Sequence, residues 1–508
     1  MNADRRLRNL SGKIGVLLVG LLFGLAPAAA DPPAGGAAPP VLRHSEVVFM
    51  YASTSEAYEA YGATFVAWGG ANTKEEVKRH RDLGIRCTGS VWCLTAGAQT
   101  LYENAALREA VAIDIEGKPI PVPWQFDKVH RGQTTDFGNT NHPAFREHVK
   151  ANVRRVMAGG ADGLHVDDHL GVASPAAWYG GGFDDHSIAG FRAYLARHAT
   201  REQLAAAGVE ELAAFDYRTV VRRVATTADA VKRRAGSIPL FDLWKQYHLE
   251  AAADFVEELR AVAAEAAGHP VLLSANACLG NEVHHYVVPR LTYVVCEVWF
   301  EAGKGTSALA GALRAFDAAR RLDRPLACTA SGHDWAYVKE RGACELARFW
   351  IALAYAHGQR FMAPHPSRQW CFTEKLGTHW YQAPVSEFAP LYRFVRANAA
   401  LLDGFEPVPD VAPEAPKTIA ATVRRKGAAV AVHLVNLDYA AAADRMRAAE
   451  NVRVALPAGL AGNAAEARCV AFGGETVTVP VRREGDTASI TVPSVRLWTI
   501  VALSPAPE

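Results

Sequence analysis

The chain has 508 residues, half of them hydrophobic, enough to bury a large core. Length alone implies roughly two to four domains, although a barrel of about 250 residues or more folds as one unit. Its 54 basic and 53 acidic residues leave a formal net charge of +1, which excludes a polyanion-binding surface over the whole molecule and argues against nucleic acid as a partner.

The N-terminus carries Arg5, Arg6, Arg8 and Lys13, then the apolar run Ile14 to Leu25 and the small residues Ala28-Ala29-Ala30. A basic stretch, an apolar stretch of about 7–15 residues and an A-x-A site describe a secretory signal peptide, here residues 1–30. Export to the periplasm or outside the cell follows, with no stable membrane insertion after cleavage. The apolar run is shorter than the ~20 residues of an ordinary span, and an uncleaved anchor is the alternative. Residues 31–43 read as a flexible spacer, being rich in Pro, Gly and Ala. The eight cysteines show neither CxxC nor zinc-ligand spacing.

From Glu46 to His365 short β-rich runs alternate with helical segments. The runs are Val47–Ser53, Thr64–Trp68, Ile85–Trp92, Gly163–His169, Val271–Cys278, Thr292–Trp299, Leu326–Ser331 and Arg360–His365. Helix-like stretches between them include Lys74–Asp82, Pro143–Ala158, Leu249–Ala266, Ser307–Arg320 and Glu345–Ala356. Strands alternating with helices pair in parallel through right-handed crossovers, and eight such units point to an α/β fold of the (β/α)₈ TIM-barrel kind over residues 44–410. A dinucleotide-binding sheet would show a glycine-rich turn after its first strand; here Ser53-Thr54-Ser55-Glu56 follows it.

Two long insertions are expected to build a substrate cleft at the C-terminal mouth. Cys93 to Asn141 follows the third strand and carries Trp124, Gln125 and Asp136; Gly171 to about Leu240 follows the fourth, with helices over Ile188–His198 and Arg201–Ala214. After the linker Val411–Pro416, alternating runs such as Ala429–Asn436, Val452–Leu456, Thr476–Val481, Ser489–Val492 and Leu497–Ala502 predict an antiparallel β-sandwich over residues 411–508.

The sharpest chemical feature is Gly163-Leu-His-Val-Asp-Asp-His-Leu170. Side chains alternate along a strand, so Leu164 and Val166 face the outer helices while His165 and Asp167 point inward. On the sixth strand the same alternation sends Glu297 inward near the same mouth, with Trp299 and Glu301 above it. Buried carboxylates are costly unless paired or functional. Glycoside hydrolysis needs two of them, one protonating the leaving oxygen and one attacking or activating water. The bland alternative is an ion pair with Arg86 or hydrogen bonds to loop amides. Tyr51, Trp68, Trp92, Asp168, His169, Asn276, His333 and His365 gather at other predicted strand ends, with Trp370 beyond the eighth. Aromatics stack on sugar faces, while Asn and His bond hydroxyls.

Asp136-Phe-Gly-Asn, Asn141-His-Pro-Ala-Phe-Arg146 and Gly160-Ala-Asp-Gly-Leu-His-Val-Asp-Asp168 together resemble (β/α)₈-barrel glycoside hydrolases related to α-L-fucosidases and family 42 β-galactosidases. Phe191–Leu195 and Val432–Asp438 are similar to them as well. The β-galactosidase pattern would place Asn-Glu on the fourth strand and a glutamate on the seventh, where this chain has Asp167-Asp168 and Ser331-Gly-His-Asp334. The α-fucosidase-like pattern implies Asp167 as nucleophile and Glu297 as acid/base in a retaining hydrolase, with Asp168 and Glu301 as fallback assignments. The expected enzyme is exo-acting or oligosaccharide-directed, its substrate an oligosaccharide or glycoside, and neither cofactor nor metal is called for. Two alternatives stay open: a non-catalytic glycan-binding barrel, and a metal-dependent hydrolase using the His165–His169 cluster. Oligomeric state is not legible.

Overall fold

The computed structural model describes residues 41–364, 370–373, 377–379 and 383–503, the two short segments by backbone alone. The signal peptide, most of the spacer and His365 lie outside the described residues, as does the side chain of Trp370.

Eight short strands follow in chain order: β1 (Val48–Phe49), β2 (Phe65–Val66), β3 (Arg86–Trp92), β4 (Gly163–Asp167), β5 (Leu272–Ala275), β6 (Val294–Val298), β7 (Leu326–Ala330) and β8 (Arg360–Phe361). β1 to β5 form one parallel sheet and β6 to β8 another. Single parallel bridges lie between the two, Asn276 with Val295 and Phe49 with Ala363. The strands are rich in Val, Leu, Ala and Cys and buried on both faces, as parallel strands covered by helices must be. Each is shorter than its apolar run, although backbone bonding continues past β1 and β2: Met50 and Trp68 lie outside them, and Trp68 N–H donates to the Met50 carbonyl at 3.0 Å. Just ahead of β6, Tyr293 donates its hydroxyl to the Ala67 carbonyl beyond β2 at 2.9 Å.

The covering helices begin where the sequence caps them. Thr73 and Glu76 form a reciprocal capping box at Lys74–Asp82. Pro143 opens Pro143–Met157 with its missing N–H where none is needed. That helix packs on Phe241–Ala267, whose Glu258 takes ion pairs from Arg146 and Lys150. The latter helix starts eight residues ahead of the expected Leu249. Its first turns bury Phe241, Trp244 and Tyr247 in a separate aromatic core with Phe183, Phe191 and Tyr217, formed by the insertion after β4. Within that insertion the helix expected over Arg201–Ala214 stops at Ala206, ahead of Gly208 at φ +70°.

The C-terminal strands are antiparallel, in the order Glu406–Pro407, Ile419–Lys426, Ala429–Asn436, Trp498–Leu503, Glu466–Ala471, Thr476–Glu484, Thr487–Val495, Ala449–Pro457. Adjacent strands in this order are hydrogen-bonded, giving an antiparallel sheet region. The sheet folds over so that Ala429–Asn436 meets Thr487–Val495 around Val432, Leu434, Ile490 and Val492. Its other face seats Trp498 over Tyr355 at 6.2 Å, and Asp444 accepts the backbone N–H groups of Glu345 and Leu346 at the start of Cys344–Ala356. No helix among the described residues is long and apolar enough to cross a membrane.

Candidate active site

Pairing of β3 with β4 sets Trp92 beside Asp167 at the C-terminal ends of both strands. The alternation of β4 then acts as the sequence implies. His165 is fully buried, its Nδ1 2.9 Å from Ser274 Oγ and its ring 4.9 Å from that of Trp68. Two residues on, Asp167 reaches the mouth. Its Oδ1 accepts the Asn276 amide at 3.3 Å and the Asp168 N–H at 3.0 Å, and the Trp68 side chain also bonds this carboxylate. Asp168 follows in the left-handed region, with φ +47°. A non-glycine residue is held there at a cost of order 1–3 kcal/mol, and such residues cluster at functional sites.

The carboxyls of Asp167, Asp168 and Glu297 line one cleft of about 610 Å³. Burial raises Asp167 above its ordinary value, and the bonds from Asn276, Asp168 N–H and Trp68 offset only part of that rise. Asp168 is held well above the usual carboxylate range by burial and by the negative charge of Asp167, to which Glu297 adds when it is ionised. Among the described residues nothing donates a hydrogen bond to its carboxyl. The two neighbours on one chain therefore differ in degree: both are raised, Asp168 further, and only Asp167 has donors that favour its anion, so Asp168 is the one set to keep its proton.

Around them stand Tyr51, Trp68, Trp92 and Asn276, all expected at this mouth. Tyr51 and Trp68 have ring centroids 6.2 Å apart. Trp299 and His333 lie outside the cleft against each other at 5.6 Å, with Trp299 57% exposed. Two expected contacts are corrected. His169 is buried and turned away, its Nδ1 3.0 Å from the Asn276 carbonyl oxygen, so it supports the cleft wall from behind. Glu301 does not line the cleft: its backbone takes φ +51° and its carboxylate pairs with Lys304. Asp136 is likewise buried against Thr134 and Gln133. Arg86, the bland partner considered for the carboxylates, pairs instead with Glu46.

His165 and His169 aim their Nδ1 atoms at different partners, and among the described residues no three His, Cys, Asp or Glu side chains converge as metal ligands. Burial lowers His165 to about 3 and takes His169 well below its ordinary value, so both rings are neutral at pH 7.

The cleft also uses Gly69, Gly70, Asn72, Ser90, Asp127 and Lys128, which were not singled out from the sequence. Asn72 accepts the Ser90 N–H at 3.1 Å, tying the mouth of β2 to β3. A legible signal was present in Trp68-Gly-Gly-Ala-Asn72, a strand end running into paired glycines. Gly70 has φ +110°, and a Cβ there would lie 2.6 Å from that of Ala52, so only glycine fits.

With this geometry in place, comparison with known proteins gives a consistent direction. No family model matches the chain. It is similar to two α-agarases, one from Alteromonas agarilytica and one from Thalassotalea agarivorans. The first is 23% identical over 306 residues, covering 57% of this chain and 20% of the relative. The second is 25% identical over 292 residues, covering 54% and 19%. The match thus spans about a fifth of these curated relatives. Among solved structures, a cycloisomaltooligosaccharide glucanotransferase from Paenibacillus, complexed with cycloisomaltoheptaose, aligns with TM-score 0.56 and 9% identity over 90% of this chain and 84% of that one. An α-amylase from Geobacillus thermoleovorans aligns at TM-score 0.51 and 8% identity, over 91% and 99% of the chains. A β-galactosidase from Bacillus circulans does so at 0.51 and 9%, over 90% and 99%. At such identities the likeness is one of fold: an α/β arrangement of parallel strands with an antiparallel sheet region, shared with carbohydrate-active enzymes.

Proposed function

We propose that the protein is an exported glycoside hydrolase whose eight parallel strands close into a (β/α)₈ barrel, with residues 44–410 catalytic and 411–508 a packing domain. Closure is supported by the bridges at Asn276 and Phe49 and by Tyr293 reaching the Ala67 carbonyl. Export rests on the N-terminal sequence alone. The observation that carries the activity is the unequal dressing of neighbouring carboxyls in one cleft: Asp167 holds three donors, while Asp168 is buried beside the charge of Asp167.

In the retaining scheme Glu297 protonates the glycosidic oxygen as Asp167 attacks the anomeric carbon. The C–O bond breaks and a glycosyl ester forms. Water then attacks that carbon, losing its proton to Glu297 and restoring Asp167. Asp168, keeping its proton, donates to a substrate hydroxyl. The substrate class is an oligosaccharide or polysaccharide, with agar galactan first among candidates because the sequence relatives are α-agarases. Reducing-end release from agarose, agaro-oligosaccharides and α-glucans tests the reading; release of sugar by the purified protein is expected, and none from any of them across pH 4–9 contradicts it.

A further inference from the structure

Nine large hydrophobic side chains are conspicuously exposed among the described residues, and six of them are aromatic: Trp92, Tyr102, Phe126, Trp178, Tyr286 and Trp299. Each lies at the end of β3 or on a segment following β3, β4, β5 or β6, the same end of the parallel strands as the carboxyls. Scattered exposed apolar residues need no explanation, but folding alone does not collect the aromatic ones at one end. Three carry a histidine ring alongside: Tyr102 with His130 at 5.4 Å, Trp178 with His284 at 6.1 Å, and Trp299 with His333 at 5.6 Å. None of these pairs lines the 610 Å³ cleft, a volume suited to a ligand of small-molecule size.

Two pairs connect to the cleft through neighbouring residues. Trp299 stands two residues beyond Glu297. His284 lies 5.3 Å from His169, which follows Asp168 and meets the Asn276 carbonyl. We propose that Trp178–His284 and Trp299–His333 are two sugar-binding subsites outside the cleft, holding a neutral glycan longer than the reacting unit so that cleavage falls within a chain. This rests on the glycosidase reading. The indole face packs the apolar C–H face of a pyranose, and the neighbouring imidazole exchanges hydrogen bonds with its hydroxyls. Burial lowers His284 to about 4, so at neutral pH that ring presents no charge and suits an uncharged sugar.

The test uses the full chain carrying Asp167→Asn, run in native gels containing agarose, amylose or dextran. At least one polymer is expected to retard it. Adding Trp178→Ala or Trp299→Ala should weaken that binding about tenfold each, with melting temperatures showing that both variants stay folded. In the active protein, each substitution should lower kcat/KM more on the polymer than on the shortest oligosaccharide cleaved. Equal losses on both substrates, no change on the polymer, or no retardation by any of the three overturns the subsites. Retardation that depends on both tryptophans, in a protein without hydrolysis, would uphold the subsites and refute the glycosidase instead.

Discussion

Asp334 sits at the start of the helix Gly332–Arg341 and is almost wholly buried, yet its work lies on the neighbouring loop. Its two oxygens accept the backbone N–H of Phe300 at 2.9 Å and of Ala302 at 2.7 Å, and the Ser331 hydroxyl at 2.8 Å. Those bonds fix the turn after β6 that carries Trp299 out of the strand containing Glu297. Replacing Asp334 with asparagine keeps the shape but turns one acceptor into an NH₂ group facing a buried donor. One unsatisfied N–H costs about 1–3 kcal/mol, and losing the carboxylate's charge weakens the remaining bonds by about 1 kcal/mol. We expect a destabilisation of roughly 2–4 kcal/mol, or a fall of roughly 2–4 °C in Tm for a chain of this size. Thermal and denaturant unfolding read the first effect. Steady-state kinetics should show a raised KM, because Trp299 loses its fixed position. A variant melting within 1 °C of wild type with unchanged KM would refute the claim that Asp334 holds this loop.

Asp168→Asn should leave kcat/KM within about tenfold at neutral pH, since a protonated carboxyl and an amide both donate, whereas loss of a nucleophile costs far more. The same variant should melt higher at neutral pH by about 1 kcal/mol equivalent. Because burial and like charge raise the folded-state pKa of Asp168, the penalty it removes grows as pH rises and disappears below about pH 4, and so should the gain. Trp68→Phe removes a donor that pulls the Asp167 pKa down; the acid limb of the kcat/KM profile should move to higher pH, and an unmoved limb would deny Trp68 that role. Gly70→Ala places a methyl 2.8 Å from the Ala52 nitrogen at φ +110°, so a loss of about 1–3 kcal/mol in denaturant unfolding is expected together with reduced activity.

Much of this arrangement was legible because it depends on local periodicity. The alternation of His165, Val166 and Asp167 follows from strand geometry alone, and the structure places Asp167 and Glu297 in the same cleft. What the sequence could not carry was set by distant partners. Glu301 reads as an inward acid by strand parity, but the strand ends at Val298 and a left-handed turn sends its carboxylate to Lys304. His169 continues the motif, yet a bond to the Asn276 carbonyl, 107 residues away, decides its direction. The early start of Phe241–Ala267 was hidden because its first turns serve a different core from the rest of the helix. Asn72 and Lys128 join the cleft only through loop packing, for which no spacing rule exists.

Whether Asp167 and Glu297 perform the chemistry is decided by Asp167→Asn and Glu297→Gln, each assayed for reducing-end release on whichever glycan the wild type cleaves. Each substitution is predicted to lower kcat by at least about 10², with Tm preserved, since acid–base work alone contributes about 10²–10⁴. Folded variants that both retain activity within tenfold of wild type would contradict the account.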